Sequence, residues 1–490
     1  MRAPGKKKRK RTAPPAISAR LSGHIRLEPQ ADGTILGCFE DHSISFGKFS
    51  AAAAKRTLDL RTGLPLASFA HQDRDVDKEI DLLVRRLARS GLVEYRLGSP
   101  SGDKDQVVIE PQLPDYWPRA AKLGATETIV LSRFAYLRRR GNEMVLESPR
   151  AGALFRIGDP NIASALAALA TPQKISRLRR QDGFPGMGLL GLLLDCQILF
   201  KIDAARADGL RQAEGDDNLV LWDFHDLLFH THSTEGRQAN PLGGLYPCAG
   251  LIPPPPAVRP HWPGKKIDLR ELSDASTATV SPFARLLHQR HSIRDFDDQQ
   301  PITLAELARF LDTTARIQSK WKSRADLGDG GPMVEYAARP YPAGGGAYEL
   351  ELYLAVANCQ GLARGFYHYD ADRHALVPIT VRAPELDALL AGAEFAMGAP
   401  AAPQVLITIA ARFGRVSWKY SSVAYSLILK DVGVLLQTLY LMATDMGLGG
   451  CAVGTNNIDL FEKMTGIDFH IEGPVGQFAL GRGGKPEASD

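Results

Sequence analysis

The sequence predicts an α+β protein: two small winged-helix-like modules followed by a larger α/β domain. Three observations predict it. The order hairpin, helices, terminal strand occurs twice, at 21–115 and 130–205. A proline-rich spacer, Pro253–Pro256 with Pro260, closes a connector at 218–262. Beyond it, over 263–490, strands alternate with helices around one long apolar helix, Ser422–Met446, that ends in a glycine-rich stretch. A helix apolar on every side is expected to lie buried in a large domain.

Length and composition set the frame. A chain of 490 residues suits two or three domains. Hydrophobic content of 44% and charged content of 23% are those of a folded globular protein. Lys430, Asp431 and Asp445 interrupt the long apolar helix, which argues against a membrane span. The basic N-terminus has no apolar run after it, so a secretory signal is not expected. Five cysteines, odd in number and never in a C-x-x-C pair, suit a reducing cytoplasm and argue against structural zinc. Seven basic residues between Arg2 and Arg11 exceed the whole net charge of +4. The rest of the chain is therefore slightly acidic and is not expected to bind nucleic acid by charge. Residues 1–20 read as a disordered basic tail.

The elements follow in order. Asp32-Gly33 is a hairpin signal between His24–Leu27 and Thr34–Leu36. Val76, Ile80, Leu83, Val84 and Leu87 give a helix from Asp75 its apolar face, and Gly91 ends it. Leu92–Leu97 alternates like a strand. The second module repeats the order, with Gly141-Asn142 as its hairpin turn and helices at Asn161–Ala170, Thr171–Arg180 and Leu189–Leu194. Gln197–Ile202 closes it as a strand. Asp77, Glu79 and Asp81 would repel DNA from the first module's helix. Peptide binding by strand addition at the hairpin edge suits both modules better. In the connector, His225, His230 and His232 lie on a helix-like run, at a spacing that does not put three imidazoles on one face. Packing or substrate contact is expected there rather than a metal. In the last domain, Thr303 and Glu306 form a capping box. Tyr348–Val356, Gly365–Tyr369, His374–Pro378, Gln404–Ala410 and Phe478–Gly481 read as strands.

Four groups in this domain point to chemistry. Arg290, His291, Ser292 and Arg294 offer fork-shaped cations and a hydroxyl to a phosphate monoester. Taken alone, such a cluster also reads as solvated surface. Tyr341–Ala347 contains a Pro-Ala-Gly-Gly-Gly loop that, taken alone, reads as a flexible turn, and whose backbone can also approach a flat ligand closely. Gly447–Gly454 reads as a helix C-cap with a sharp turn or as a second ligand wall. Arg482 stands alone after the last strand. No G-x-G-x-x-G joins a strand to a helix, so a Rossmann site is not supported. Lys419 and Tyr420 sit at the mouth of the long helix.

In this order the groups resemble the nitroreductase-like flavoenzymes, and within them the SagB-type dehydrogenases, or thiazoline/oxazoline oxidases. WDFHDLLFHTHS, the proline spacer after it, and the stretch from Lys419-Tyr420 to Gly454 carry the narrower likeness, over about 218–485. The modules before them resemble PqqD-like peptide-recognition domains. The resemblance implies a nitroreductase-like FMN-binding α/β sandwich that works as a homodimer. It implies that Arg290, His291, Ser292 and Arg294 hold phosphate and ribityl. Pro342, Ala343 and Gly344 would run beside the flavin ring, Gly450, Val453 and Gly454 on its other side, with Arg482 returning to the phosphate. Many relatives have Ser where this chain has Ala343, which puts that contact in doubt.

Lys419 and Tyr420 would be catalytic. Aromatising an azoline removes a hydride and a proton, so a base is needed beside the flavin. The expected partners are a precursor peptide, with its leader and azoline-containing core, and a cyclodehydratase. The alternatives are an NAD(P)H-dependent nitro- or quinone reductase and a non-catalytic peptide-binding protein.

Overall fold

A computed structural model describes residues 17–23, 25–38, 43–98, 105–203, 217–235, 244, 246, 248–261, 263–270 and 280–483, apart from 326, 328 and 329. The basic run at 2–11 lies outside these residues, as does His24 of the first hairpin. The chain divides into two compact units, residues 1–240 and 241–490. The division falls inside the expected connector.

The first unit is built on a seven-stranded sheet of order β5-β1-β6-β7-β11-β10-β9. Its strands are β1 (Ile17–Leu21), β5 (Leu64–Pro65), β6 (Val93–Gly98), β7 (Asp105–Pro111), β9 (Tyr136–Arg140), β10 (Glu143–Glu147) and β11 (Ala153–Ile157). Strands from both expected modules share this sheet. Phe155 of β11 pairs antiparallel with Ile109 of β7, and both are fully buried. One apolar cluster runs from Ala19 to Leu199, so the two repeats are packed on a common core.

A smaller sheet joins β2 (Arg26–Pro29), β3 (Thr34–Cys38) and β4 (Ser43–Lys48). Its β2–β3 hairpin is the one marked by Asp32-Gly33. A third sheet has the order β12-β8-β13, with β8 at Thr128–Leu131, β12 at Gln173–Lys174 and β13 at Leu199–Ile202.

Two expectations need correcting here. The strand β1 begins inside the stretch expected to be disordered, because Ala19 and Leu21 point into the core while the backbone pairs with β6. The expected helix Thr171–Arg180 shrinks to Ile175–Leu178, because Gln173 and Lys174 pair with β8 instead. On the helix Asp75–Arg89, Asp77 and Asp81 are buried and paired, Asp77 with Arg56 and Arg74, Asp81 with Arg85. The hydrogen bond from Arg74 leads in holding the Asp77 carboxyl down at about 2. These acids hold the module together, which is a structural reason for their presence on that helix.

The second unit centres on a six-stranded antiparallel sheet of order β18-β17-β16-β19-β21-β20. The strands are β16 (Leu350–Val356), β17 (Gly365–Asp370), β18 (Ala375–Ile379), β19 (Val405–Arg412), β20 (Gly449–Val453) and β21 (Glu472–Gly481). A separate hairpin joins β14 (Ser319–Arg324) to β15 (Met333–Ala338). Helices Ala383–Met397 and Ile458–Thr465 share a core with Tyr353, Phe366, Leu406 and Ala479 on one face of the sheet. On the other face Val432 of the long helix lies against Gly476 of β21.

The long helix, Ala424–Asp445, is long and apolar enough to cross a membrane by length and composition. Here it packs through one stripe, Tyr425, Ile428, Val432, Leu435, Leu439 and Ala443. Burial on every side, as expected from its composition, is not what the single chain shows. Its outer face, with Val434 37% exposed, is open.

The expected glycine-rich loop is also different: Gly449–Val453 is an edge strand paired with β21. Only Gly447, at φ 65, serves the C-cap turn. Gly450 is required by packing, because a Cβ there would enter the ring of Phe478. Gly450→Val is expected to overpack this contact and cost about 1–3 kcal/mol, read as a lower denaturation midpoint with an unchanged slope.

Candidate active site

The site is assembled from two groups of residues that the long helix joins. The first surrounds the strap Arg290–Arg294. It follows the helix Pro282–Gln289, capped by Ser281, whose side chain accepts from the Ala284 N–H at 3.1 Å. The Ile293 N–H donates to the Gly450 carbonyl at 2.9 Å, and Asp297 N–H donates to the Arg482 carbonyl at 2.9 Å. These bonds bring the strap beside β20 and the end of β21. The Ser292 hydroxyl lies 2.8 Å from the Tyr440 hydroxyl, which also accepts from the Ala452 N–H at 2.7 Å. The Arg290 guanidinium lies 5.1 Å from the centre of the Tyr440 ring. Arg294 and His291 face solvent, and His291 Nδ1 is 2.9 Å from the Gln289 carbonyl.

Arg482 is fixed at both ends. Its backbone N–H donates to Gln404 Oε1, and its guanidinium donates to both oxygens of Glu306 at 2.8 and 2.7 Å. Glu306 completes the Thr303 capping box at the same time. Burial pushes the Glu306 carboxyl up, but the bonds from Arg482 and Thr303 outweigh it and leave it lowered. Gln404 is fully buried, and it also receives the Ile302 N–H and donates to the Asp297 carbonyl.

The second group is the turn Pro342–Gly346. Gly344–Gly346 forms a single 3-10 turn, with Gly345 at φ 60. Lys419 Nζ donates to the Gly345 carbonyl at 3.3 Å. A Cβ on Gly345 would collide with the Tyr420 hydroxyl and lie 2.9 Å from Lys419 Nζ. Lys419 is exposed in the single chain and Tyr420 half-buried. The Gly344 N–H donates to Asp431 Oδ2 at 2.8 Å. A cavity of ≈440 Å³ opens beside this turn, lined by Trp321, Tyr336, Arg339, Tyr348 and Arg415 among others. Trp321 and Tyr336 stack at 5.7 Å on the β14–β15 hairpin.

Asp431 serves the turn and Tyr440 serves the strap, and both belong to the long helix. Nine residues of helix place the two groups about 14 Å apart along its axis. The arrangement suits an elongated ligand with a flat ring at one end and an anion at the other. Among the positions expected from sequence, Lys419, Tyr420, Ala343 and Gly344 converge on the turn. Arg290, Ser292, Gly450 and Arg482 converge on the strap. The Val453 side chain is buried in the core cluster, so only its backbone is left to meet a ligand. Sequence reasoning missed Tyr440, Gln404 and Asp431 as site residues. Their one signal is a polar group inside an otherwise apolar run.

The donor set fits a flavin mononucleotide. Arg290, Arg294 and Ser292 would take the phosphate end, while Arg482 already shares its charge with Glu306.

In the first unit, β9 is an edge strand. The helix Phe224–His232 runs beside its hairpin, with Phe224 at 5.8 Å from Tyr136. Between them lies a groove of ≈690 Å³ lined by Arg138, Arg140, Leu154, His225, Phe229 and His232 among others. His225 is exposed beside Asp223, whereas His230 is buried and stacks on Trp222 at 5.8 Å. His225 and His232 therefore line the groove, while His230 is packed away from it.

An antiparallel sheet with helices on both faces, an arginine–serine strap and a glycine turn under a lysine–tyrosine pair defines an oxidoreductase of nitroreductase-like fold. Residues 287–482 match the nitroreductase family model. A Methanocaldococcus jannaschii protein described as a nitroreductase is 31% identical over 169 residues, 34% of this chain and 76% of the relative. The chain belongs to the nitroreductase family. Residues 129–239 separately match the model for the cyanobactin oxidase ThcOx.

Among solved structures, the chain is similar to an Escherichia coli microcin synthetase McbBCD complex with truncated pro-MccB17 bound. The identity is 19%, covering 56% of this chain and 97% of the other, at a TM-score of 0.37. It is similar to a Ralstonia eutropha protein described as a nitroreductase, at 22% identity over 43% and 87%, with a TM-score of 0.32. A Desulfovibrio desulfuricans relative in complex with FMN is 15% identical over 43% and 92%, at a TM-score of 0.27.

Proposed function

We propose that the chain is an FMN-dependent dehydrogenase that oxidises thiazoline or oxazoline rings of a ribosomally made peptide to thiazoles or oxazoles. The observation that carries this reading is the meeting of Lys419 and Tyr420 on the Gly344–Gly346 turn. The cyanobactin oxidase match over 129–239 supports the choice of substrate class.

FMN, when bound, supplies the hydride acceptor. The residues do the rest. Arg290, Ser292 and Arg294 bind the phosphate end, with Arg482 and the glycine-rich strand β20 beside them. The turn orients the ring. Lys419 or Tyr420 takes the proton lost from the neighbouring ring carbon. Lys419 is exposed in the single chain, so bound peptide, flavin or a second copy would have to exclude water from it. A second copy is the proposed cover for the open face of the long helix and for the helix Pro282–Gln289, none of whose residues is buried.

Precursor peptide is proposed to add to the β9 edge and lie in the groove against Phe229, which is 50% exposed. Tethering the leader there raises the effective concentration of the core at the site. A partner cyclodehydratase would supply the azoline rings. The reading is tested first by colour: purified protein should be yellow and release FMN on denaturation. Arg290→Ala with Arg294→Ala is expected to weaken FMN binding roughly 10- to 100-fold, by titration calorimetry. Unchanged affinity would remove the strap from the phosphate site.

A second reading, an NAD(P)H-dependent nitro- or quinone reductase, is favoured by the nitroreductase relative. Steady NAD(P)H oxidation with small electrophiles, and none with azoline peptide, would select it.

A further inference from the structure

Glu349 lies immediately before β16 and is 0% exposed. Among the described residues no other residue donates an N–H or O–H to either carboxyl oxygen, and its own backbone N–H is the one donor that favours the ionised form. A buried carboxylate left ionised without donors is costly. Its neighbour is Asp431 of the long helix, within hydrogen-bonding reach. Two ionised carboxylates are acceptors only, so they can bond each other only when one of them carries a proton. Asp431 is already committed as an acceptor to the Gly344 N–H at 2.8 Å.

We propose that Glu349 is held as a neutral acid that donates to Asp431, and that this pair is the positioning device of the Gly344–Gly346 turn beneath Lys419 and Tyr420. Its catalytic consequence rests on the proposed function; the pair itself does not. The chain of contacts is short. Glu349 bonds Asp431, Asp431 holds the Gly344 N–H, and the next residue's carbonyl receives Lys419 Nζ. One face of a three-residue turn is thus tied to buried acid and the other to the proposed base.

The charged and titratable surroundings agree with this. Burial leads in raising Glu349 to about 7 against the bond from its own backbone N–H, with Asp431 adding to the rise and Arg339 opposing it. Burial also raises Asp431, against the bonds from Gly344 and Glu349. Arg339 is itself buried, 3.7 Å from Glu351, and its Nε meets no acceptor among the described residues. Arg415 also feels Glu349 but spends its guanidinium on the Ala347 and Glu335 carbonyls. Tyr341, buried beside them, is pushed up by burial. Above about pH 7 the pair gains a second negative charge, and repulsion falls on the carboxylate that anchors Gly344.

Between the ordinary 4.5 and about 7 the folded state holds a proton that the unfolded chain has lost. Stability therefore falls with rising pH across that window. Three measurements on the flavin-free chain test the pair. Infrared spectroscopy of the wild type at neutral pH should show the carbonyl stretch of a protonated carboxylic acid, missing in Glu349→Gln. Thermal midpoints of wild type and Glu349→Gln should coincide in acid and diverge as pH rises to about 7. They should then run parallel, with the wild type lower by at least about 2–4 °C. Hydrogen exchange of residues 342–347, corrected for intrinsic rate, should quicken above pH 7 in the wild type and not in the variant.

If Glu349→Gln does not fold, the infrared band and the wild-type exchange profile decide alone. Absence of the band, with exchange independent of pH, would overturn the proposal. Failure to bind flavin or oxidise azoline would overturn the functional reading and leave these results standing.

Discussion

Lys419→Ala is expected to lower ring oxidation by about 10²- to 10⁴-fold, the range for loss of a positioned general base. Flavin content should be unchanged. Lys419 Nζ donates to the Gly345 carbonyl and touches nothing in the Arg290–Arg294 strap. Removing it takes away a proton acceptor without loosening the phosphate end. The loss should fall on kcat rather than on KM. Tyr420→Phe separates the two candidates, since it keeps the ring packed near the turn and removes only the hydroxyl. Measuring single-turnover flavin reduction by azoline peptide in both variants assigns the base. Full turnover by Lys419→Ala would leave Tyr420 as the remaining candidate.

Gly345→Ala is expected to do comparable damage from a residue with no reactive group. At φ 60 a Cβ costs about 1–2 kcal/mol. That Cβ would also occupy the space of the Tyr420 hydroxyl and crowd Lys419 Nζ. Both side chains must move away from the turn, and misplacement of about 1 Å at a reacting centre costs on the order of 10²-fold. Activity should collapse while the thermal midpoint falls only modestly. A Gly345→Ala enzyme with wild-type turnover would show that this turn does not position Lys419 and Tyr420.

Local signals in the sequence were legible where chemistry is local. The Thr303–Glu306 capping box forms as its spacing demands, and Asp32-Gly33 turns a hairpin. Periodicity placed the helix from Asp75, and the strand expected at Tyr348–Val356 forms over Leu350–Val356, Tyr348 being turned out of it at φ 45. What escaped reading depends on distant partners. Nothing near Asp105–Pro111 announces that it pairs with Ala153–Ile157 and joins two repeats in one sheet. Gly450 looks like part of a flexible loop until Phe478 is seen against it. The apolar composition of the long helix cannot distinguish a face buried in its own domain from one left for another surface. Asp431 and Tyr440 read as interruptions of a hydrophobic run, yet they hold the two halves of the site. The arginine strap, the glycine turn and the Lys419–Tyr420 pair stand out in the sequence only through their order along the chain, which carries the family resemblance; taken singly, each also reads as surface, turn or packing.

The central claim is best tested by mass spectrometry of an azoline-containing precursor peptide after incubation with the purified chain and FMN under air. Loss of two hydrogens per ring is expected, dependent on the leader segment and abolished in Gly345→Ala. Unchanged peptide mass with flavin bound and fully reducible by NAD(P)H would contradict it, and would make the chain a reductase.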